Sequence, residues 1–171
     1  ALREGVAMAG IHGGDVVTAV SGRALIVKKV LMDKMDQDDA REAIFWEAEQ
    51  HVPFDIDDVS LDFQILEEEA PGNQMQVLLV AAKKELIHQH ADLVREAGLE
   101  PRIIDLDAFA IQNCYEANYE PEPQQIVGLL NIGAEVTNVN IVQGGAPQLT
   151  RDLSVGRSRF IEEVQRELNI G

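Results

Sequence analysis

The sequence is short of basic residues, nearly free of cysteine and without a long apolar run. Lys and Arg number 14 against 30 Asp and Glu, for a formal net charge of −16. Between Asp33 and Glu69 there are 14 acidic residues, opposed only by Lys34 and Arg41. A surface so charged repels phosphate backbones and anionic lipid headgroups, which argues against nucleic-acid binding and against direct adsorption to a membrane. No stretch of about 18 apolar residues occurs, so no transmembrane helix is expected, and any membrane association is expected to pass through a protein partner. Ala1–Gly10 sets Arg3 and Glu4 in a short apolar pattern and does not read as a signal peptide. The single Cys114 cannot form an intrachain disulfide, which fits a reducing compartment and a cytoplasmic location. What is present is enough for a core. With 171 residues, 46% of them hydrophobic, the chain is expected to be one domain or two small ones and not a disordered segment.

The organising stretch is 126–156, IVGLLNIGAEVTNVNIVQGGAPQLTRDLSVG. Ile126–Ile132 is nearly all aliphatic. Thr137–Val142 sets Val139 and Ile141 against Asn138 and Asn140, and Gln148–Val155 sets Leu149, Leu153 and Val155 against Gln148, Thr150 and Asp152. Period-two alternation broken at Gly133–Val136 and Gly144–Pro147 predicts a three-strand meander. Ile161, Val164 and Leu168 then recur at helical spacing. At the first break, Gly133 has no Cβ to keep a ligand from the backbone. Successive N–H groups at such a bend form an anion-binding concavity, to which Thr137 adds a hydroxyl. The turn reads either as a phosphate site or as an ordinary hairpin.

Before it, Leu2–Ile11 reads as a helix end, Asp15–Ser21 as a strand and Arg23–Met32 as another. Asp36 is the expected cap of a helix running to about Val52, with Asp39 in the capping-box place and Pro53 as the stop. Ala40, Ile44 and Ala48 form its inward stripe, widened by Phe45 or Trp46. Val59–Leu66 and Met75–Ala82 read as strands joined at Pro71-Gly72-Asn73. Glu85–Ala97 reads as a helix with Leu86, His90, Leu93, Val94 and Ala97 on one side and Gly98 as its left-handed end. Arg102–Leu106 is a strand and Asp107–Asn118 a helix whose stripe takes in Cys114, read as a buried small residue. Asp107 caps that helix, or else Asp105 or Asp107 meets a ligand between subdomains. Pro121 and Pro123 stiffen a link at Glu120–Gln125.

Several tempting motifs carry little. His88 and His90 point to different sides of a helix and do not converge on a metal. Asp55, Asp57 and Asp58 lack the glycine and glutamate of a calcium loop and read as a solvated acidic stretch. No nucleophile–histidine arrangement is visible.

Long runs carry a resemblance: VVTAVSG (16–22), IFWEAEQHVPFDIDDVSLDFQIL (44–66), VLLVAAKKELI (77–87), AGLEPRIIDLDAFAIQN (97–113) and LLNIGAEVTNVNIVQGGAPQLTRDLSVG (129–156). In these the chain resembles the PilM family of type IV pilus assembly proteins, cytoplasmic relatives of the actin-like cell-division protein FtsA. The resemblance implies an α/β fold: a partial actin-like, ribonuclease H-like ATPase fold with a small strand–helix–strand–strand–helix insertion. Residues 1–22 and 99–122 fall to the first subdomain, 23–98 to the insertion and 123–171 to the start of the second half. The family's first phosphate loop and adenosine segment have no counterpart here, so the chain is expected to be about half of a longer one.

The family's second phosphate loop is a strand–Asp-x-Gly–strand turn. The resemblance places Asn131, Gly133, Ala134, Thr137 and Asn138 there, with Asn131 in the place of the Asp. It implies ATP and Mg²⁺ binding in the full-length protein, not tight in this partial chain. A neutral Asn131 implies weak or absent hydrolysis. The implied partners are the N-terminal cytoplasmic segment of PilN and the inner-membrane pilus platform. The peptide groove would lie between the insertion and the first subdomain, with no groove residue assigned. The alternatives are an actin-like ATPase whose turnover drives assembly, a membrane-tethered actin homologue of the cell-division type, and an α/β domain with neither activity. Open strand edges add an expectation of self-association.

Overall fold

The structure, a computed structural model, describes residues 1–170. The chain divides into two compact units, Ala1–Ile104 and Asp105–Gly171. In the first unit the elements run α1 (Leu2–Met8), β1 (Asp15–Val20), β2 (Leu25–Asp33), α2 (Gln37–His51), β3 (Val59–Ala70), β4 (Gln74–Lys83), α3 (Lys84–Glu96) and β5 (Glu100–Leu106), which runs on past the division. β1 pairs with β5, while β2, β4 and β3 form an antiparallel sheet in that order.

The core of this unit lies between that sheet and α2. Alternate residues of the strands, among them Val30, Met32, Met75, Val77, Leu79 and Ala81, close on Ala40, Ile44 and Ala48. The helix starts as expected: the Asp36 carboxylate accepts from the N–H groups of Asp38 and Asp39 at 3.0 and 2.9 Å. Asp39 enters only through its backbone, so the cap is a single one and not a reciprocal box. The stripe is narrower than the sequence reading, because Phe45 and Trp46 both lie on the exposed side. Ala43 takes their place beside the core. In α3 the buried residues are Ala91 and Val94, whereas Leu93 faces out. Gly98 ends the chain of turns at φ +86°, and the Leu99 N–H reaches back to the Val94 carbonyl at 3.3 Å. A side chain there would strain that left-handed backbone.

The second unit holds α4 (Asp107–Asn118), β6 (Ile126–Ile132), β7 (Thr137–Gln143), β8 (Ala146–Leu153) and α5 (Arg157–Leu168). The three strands form the expected antiparallel meander. Its second turn is tighter than the Gly144–Pro147 break. Gly144 and Gly145, at φ +58° and +79°, make a two-residue hairpin of the kind that matches strand twist, and Ala146 and Pro147 already belong to β8. The Pro121–Pro123 link lies within this unit.

The alternation along β7 is as read, but the side turned inward is the polar one. Asn138 and Asn140 are 4% and 1% exposed, whereas Leu130, Ile132, Leu149 and Leu153 are exposed. α4 packs on the asparagine side. Its Gln112 accepts from Asn140 Nδ2 at 2.9 Å and donates to the Gly145 carbonyl at 2.9 Å. Thr150 Oγ1 donates to Asn140 Oδ1 at 3.0 Å. Amides are buried here because each finds partners. Two further expectations fail on α4. Cys114 is exposed, since Ala108 and Gln112 are the buried residues. Asp107 is the first helical residue and caps nothing; the cap position is Leu106, whose N–H is held by Asp105 at 2.7 Å.

Candidate functional site

The five residues singled out from the sequence, Asn131, Gly133, Ala134, Thr137 and Asn138, come together at the β6–β7 turn. Asn131 and Asn138 are register partners, as are Ile132 and Thr137. Gly133 closes the turn with its N–H on the Val136 carbonyl at 2.9 Å, and a Cβ on Gly133 would stand 2.8 Å from that same oxygen. The room that glycine leaves is thus used first by the chain itself.

The turn does not stand alone. It is bound to the start of α5, which sequence reasoning did not connect with it. Arg157 N–H donates to the Gly133 carbonyl at 2.9 Å, and Ser158 N–H to the Ala134 carbonyl at 2.8 Å. Thr137 Oγ1 donates to the Val155 carbonyl at 2.6 Å, so the hydroxyl proton read as a ligand donor is committed within the fold. Gly156 makes this approach possible. A Cβ there would lie 2.6 Å from backbone atoms of Ala134 and Glu135, closer than any side chain permits. The signal for Gly156 was present in the sequence as a glycine immediately before a helical period, but nothing local said which backbone it would meet.

After these bonds, the N–H groups of Ala134 and Glu135 have no acceptor among the described residues. Both residues are exposed. The first turn of α5 carries no acidic residue, and Arg157 and Arg159 stand there instead. The positive end of that helix therefore has no carboxylate of its own. The corner is not free of carboxylates, however: Glu135 stands exposed in the turn, Asp152 lies beneath it, and Arg159 is paired with Glu162 and Glu163.

One line of side chains crosses all three strands beneath the turn. Asn131 Nδ2 donates to Asn138 Oδ1 at 2.8 Å, and Asn138 Nδ2 donates to Asp152 Oδ1 at 2.7 Å. Asp152 was seen in the sequence only as a polar residue of an alternating strand. Strand register, not spacing along the chain, brings it to the site.

The remaining candidates are dispersed. His90 is bonded to Thr18 Oγ1 at 2.7 Å, and His88 is exposed. Asp55 caps a short helical turn at Ile56–Asp58 by accepting from Asp57 N–H at 3.0 Å. Beside it lies a depression of about 340 Å³ lined by Glu49, Phe54, Asp55, Ile56 and Asp57. Among the described residues no three His, Cys, Asp or Glu side chains converge as a metal cluster.

The model of the family described as type IV pilus assembly protein PilM matches residues 1–171. The chain belongs to that family. A solved PilM–PilN type IV pilus biogenesis complex contains a chain 33% identical to this one, with a TM-score of 0.85 over 99% of this chain and 52% of that one. This chain therefore spans about half the length of the chain it matches there. The cytoplasmic domain of EpsL, an inner-membrane component of the type II secretion system of Vibrio cholerae, superposes with a TM-score of 0.60 at 13% identity. That match covers 95% of this chain and 58% of that one, a likeness of fold alone. Membership of the PilM family agrees with the resemblance carried by the sequence runs, and the mixed α/β class holds. The strand–helix–strand–strand–helix unit expected over 23–98 is present as β2, α2, β3, β4 and α3.

Proposed function

We propose that this chain is part of an actin-like scaffold of the type IV pilus assembly machinery, which holds the N-terminal cytoplasmic segment of PilN and so couples to the inner-membrane platform. The observation that carries this reading is the 33% identity and 0.85 TM-score to a chain of a solved PilM–PilN complex, over 99% of the chain. The physical character of the surface supports it. No helix among the described residues is long and apolar enough to cross a membrane. The excess of carboxylates disfavours anionic lipid, so attachment through a protein tail is the consistent route. Titration of a synthetic PilN N-terminal peptide into the full-length protein tests this. Saturable binding is the expected result, and its absence overturns the reading.

In the same reading the β6–β7 turn takes the phosphates of ATP. The exposed N–H groups of Ala134 and Glu135 and the carboxylate-free start of α5 suit phosphate oxygens. Asn131 would lie beside the accompanying Mg²⁺, which neutralises phosphate charge when bound. With an amide and not a carboxylate at 131, the turn holds nucleotide with weak turnover or none. Calorimetry with Mg–ATP on the full-length protein tests the binding. Self-association has its opportunity at β6 and β8, each an edge strand of its sheet. Sedimentation at rising concentration reads it.

A further inference from the structure

The sheet β2-β4-β3 has two outer strands, and they are not protected alike. β2 carries Lys28 and Lys29, charges of the kind that keep a foreign strand from pairing at an edge. β3 has neither lysine nor proline, and its pairing with β4 stays regular from Val59 to Ile65 before it shifts. One hydrogen bond shows which way this stretch faces. The Phe63 N–H donates to the Asp62 carboxylate at 2.9 Å. An N–H bonded to its own neighbour's side chain is not in the ladder with β4. Alternate residues of a strand point their backbone groups the same way, so Leu61, Phe63 and Ile65 present theirs to the open edge. Asp62 thus covers a donor that a further strand would use. One side of α2 runs beside this edge. Arg41, Phe45 and Glu49 recur every four residues and share that side. Arg41 lies over the Phe63 ring, 5.9 Å from its centre, and Glu49 lines the depression with Phe54, Asp55, Ile56 and Asp57. Phe45 stands between the two and is 49% exposed. Phe54, Ile56, Leu61 and Phe63 are only partly buried against the core. The seam between α2 and β3 therefore has an apolar floor, with Glu49, Asp55 and Asp57 at one end and Asp62 on the strand edge.

We propose that the open edge of β3, with the seam it makes with α2, docks an extended segment of another protein in which apolar and basic residues alternate. A strand laid along Leu61–Ile65 sends every second side chain to the α2 side, against Phe45 and Phe63. One of its carbonyls accepts from the Phe63 N–H in place of Asp62. The carboxylate so released accepts from a lysine or arginine of the incoming strand, and no charge is left unpaired. Charge decides the chemistry of the occupant. Between Asp33 and Glu69 there are 14 acidic residues, opposed only by Lys34 and Arg41. A basic strand is attracted there, whereas a second copy of this chain brings its own net charge of −16 and is repelled. Every residue of the seam lies within 41–65, inside the insertion. The PilN groove implied by the resemblance lies between the insertion and the first subdomain. The occupant is thus a further partner and not the PilN tail, and its docking does not depend on the nucleotide reading.

The test titrates the full-length protein with a capped synthetic peptide of alternating valine and lysine. Two controls keep its charge: a peptide with the valines and lysines gathered into two blocks, and the alternating peptide with every amide N-methylated. The alternating peptide is expected to bind about tenfold tighter than the blocked one, because only alternation puts its valines on one face. The methylated peptide, without backbone donors, is expected not to bind. Phe45→Ser is expected to weaken binding about tenfold, as for an exposed aromatic anchor, and Trp46→Ser, on another side of α2, to leave it unchanged. Hydrogen exchange of the wild type is expected to slow at the Phe63 amide when the alternating peptide binds. A saturating PilN N-terminal peptide is expected not to displace it. Equal binding of all three peptides means attraction by charge alone and overturns the inference. No binding of the alternating peptide, an unchanged Phe63 amide, or displacement by PilN also overturns it. If Phe45→Ser fails to fold, the exchange measurement on the wild type decides.

Discussion

The two three-stranded sheets invite comparison. Both are antiparallel and both show period-two alternation. The sheet β2-β4-β3 turns its aliphatic side to α2 and buries Val77, Leu79 and Ala81 with no exposure at all. The sheet β6-β7-β8 turns Asn138 and Asn140 toward α4 and leaves much of its aliphatic side exposed. The first is held by area removed from water, which is strong and tolerant of small shifts. The second is held by directed bonds, which fix where α4 and the strands sit relative to one another at the cost of desolvating amides. Directed bonds of this kind hold the strand ends and the β6–β7 turn in one arrangement, because each amide has one orientation that satisfies its partners.

The comparison can be broken from either side. In the first sheet, Leu79→Ala is expected to cost about 3 kcal/mol through a cavity in a fully buried site, measured by denaturant unfolding. In the second sheet, Asn140→Ala is expected to cost about 2 kcal/mol, because it strips Gln112 and Thr150 of a buried partner. Replacing Asn140 and Gln112 together by Leu is expected to recover part of that loss, since apolar pairs need no partner. If the double variant is as poor as the sum of the singles, the network is not the cause. Gly156→Ala is expected to cost about 1–2 kcal/mol and to speed hydrogen exchange at the start of α5, where the new methyl meets the backbone of Ala134.

The smallest expected effect belongs to the surface pair Lys34–Glu69, 2.9 Å apart. The hydrogen bond between them is the main cause of both shifts, holding the Glu69 carboxyl below its ordinary value and the Lys34 ammonium above its own. A depressed carboxyl adds stability above its unfolded value and loses it as pH falls through the folded one. A raised ammonium adds stability below its unfolded value and loses it as pH rises through the folded one. Glu69→Gln is therefore expected to leave neutral-pH stability almost unchanged and to flatten the pH profile slightly at both ends, an effect that salt screens.

Much of the first unit was legible because its signals are local. Asp36 caps where a capping residue precedes a helical period, Pro53 stands just past the end of α2, and Gly98 takes the left-handed position after α3. The meander was legible for the same reason. Which face of it is buried was not, because alternation shows that two faces differ and not which of them another element covers. The polar face won because α4 brings Gln112 to meet Asn140. The exposure of Phe45, Trp46 and Cys114 escaped for a related reason, since a stripe read by hydrophobicity is wider than the groove that receives it. At the candidate site, Asn131, Gly133, Ala134, Thr137 and Asn138 were legible as neighbours across one turn. Asp152 lies 14 residues beyond Asn138, and Gly156, which packs on Ala134, lies further along the chain still; register and close packing join them to the turn.

In the proposed reading this turn, fixed by buried amides and by its bond to α5, is the corner that faces nucleotide. Hydrogen exchange of the full-length protein with and without Mg–ATP tests it most directly. New protection is expected at the Ala134 and Glu135 amides, which have no acceptor among the described residues. Protection by nucleotide elsewhere, with these two amides exchanging as fast as before, would contradict it.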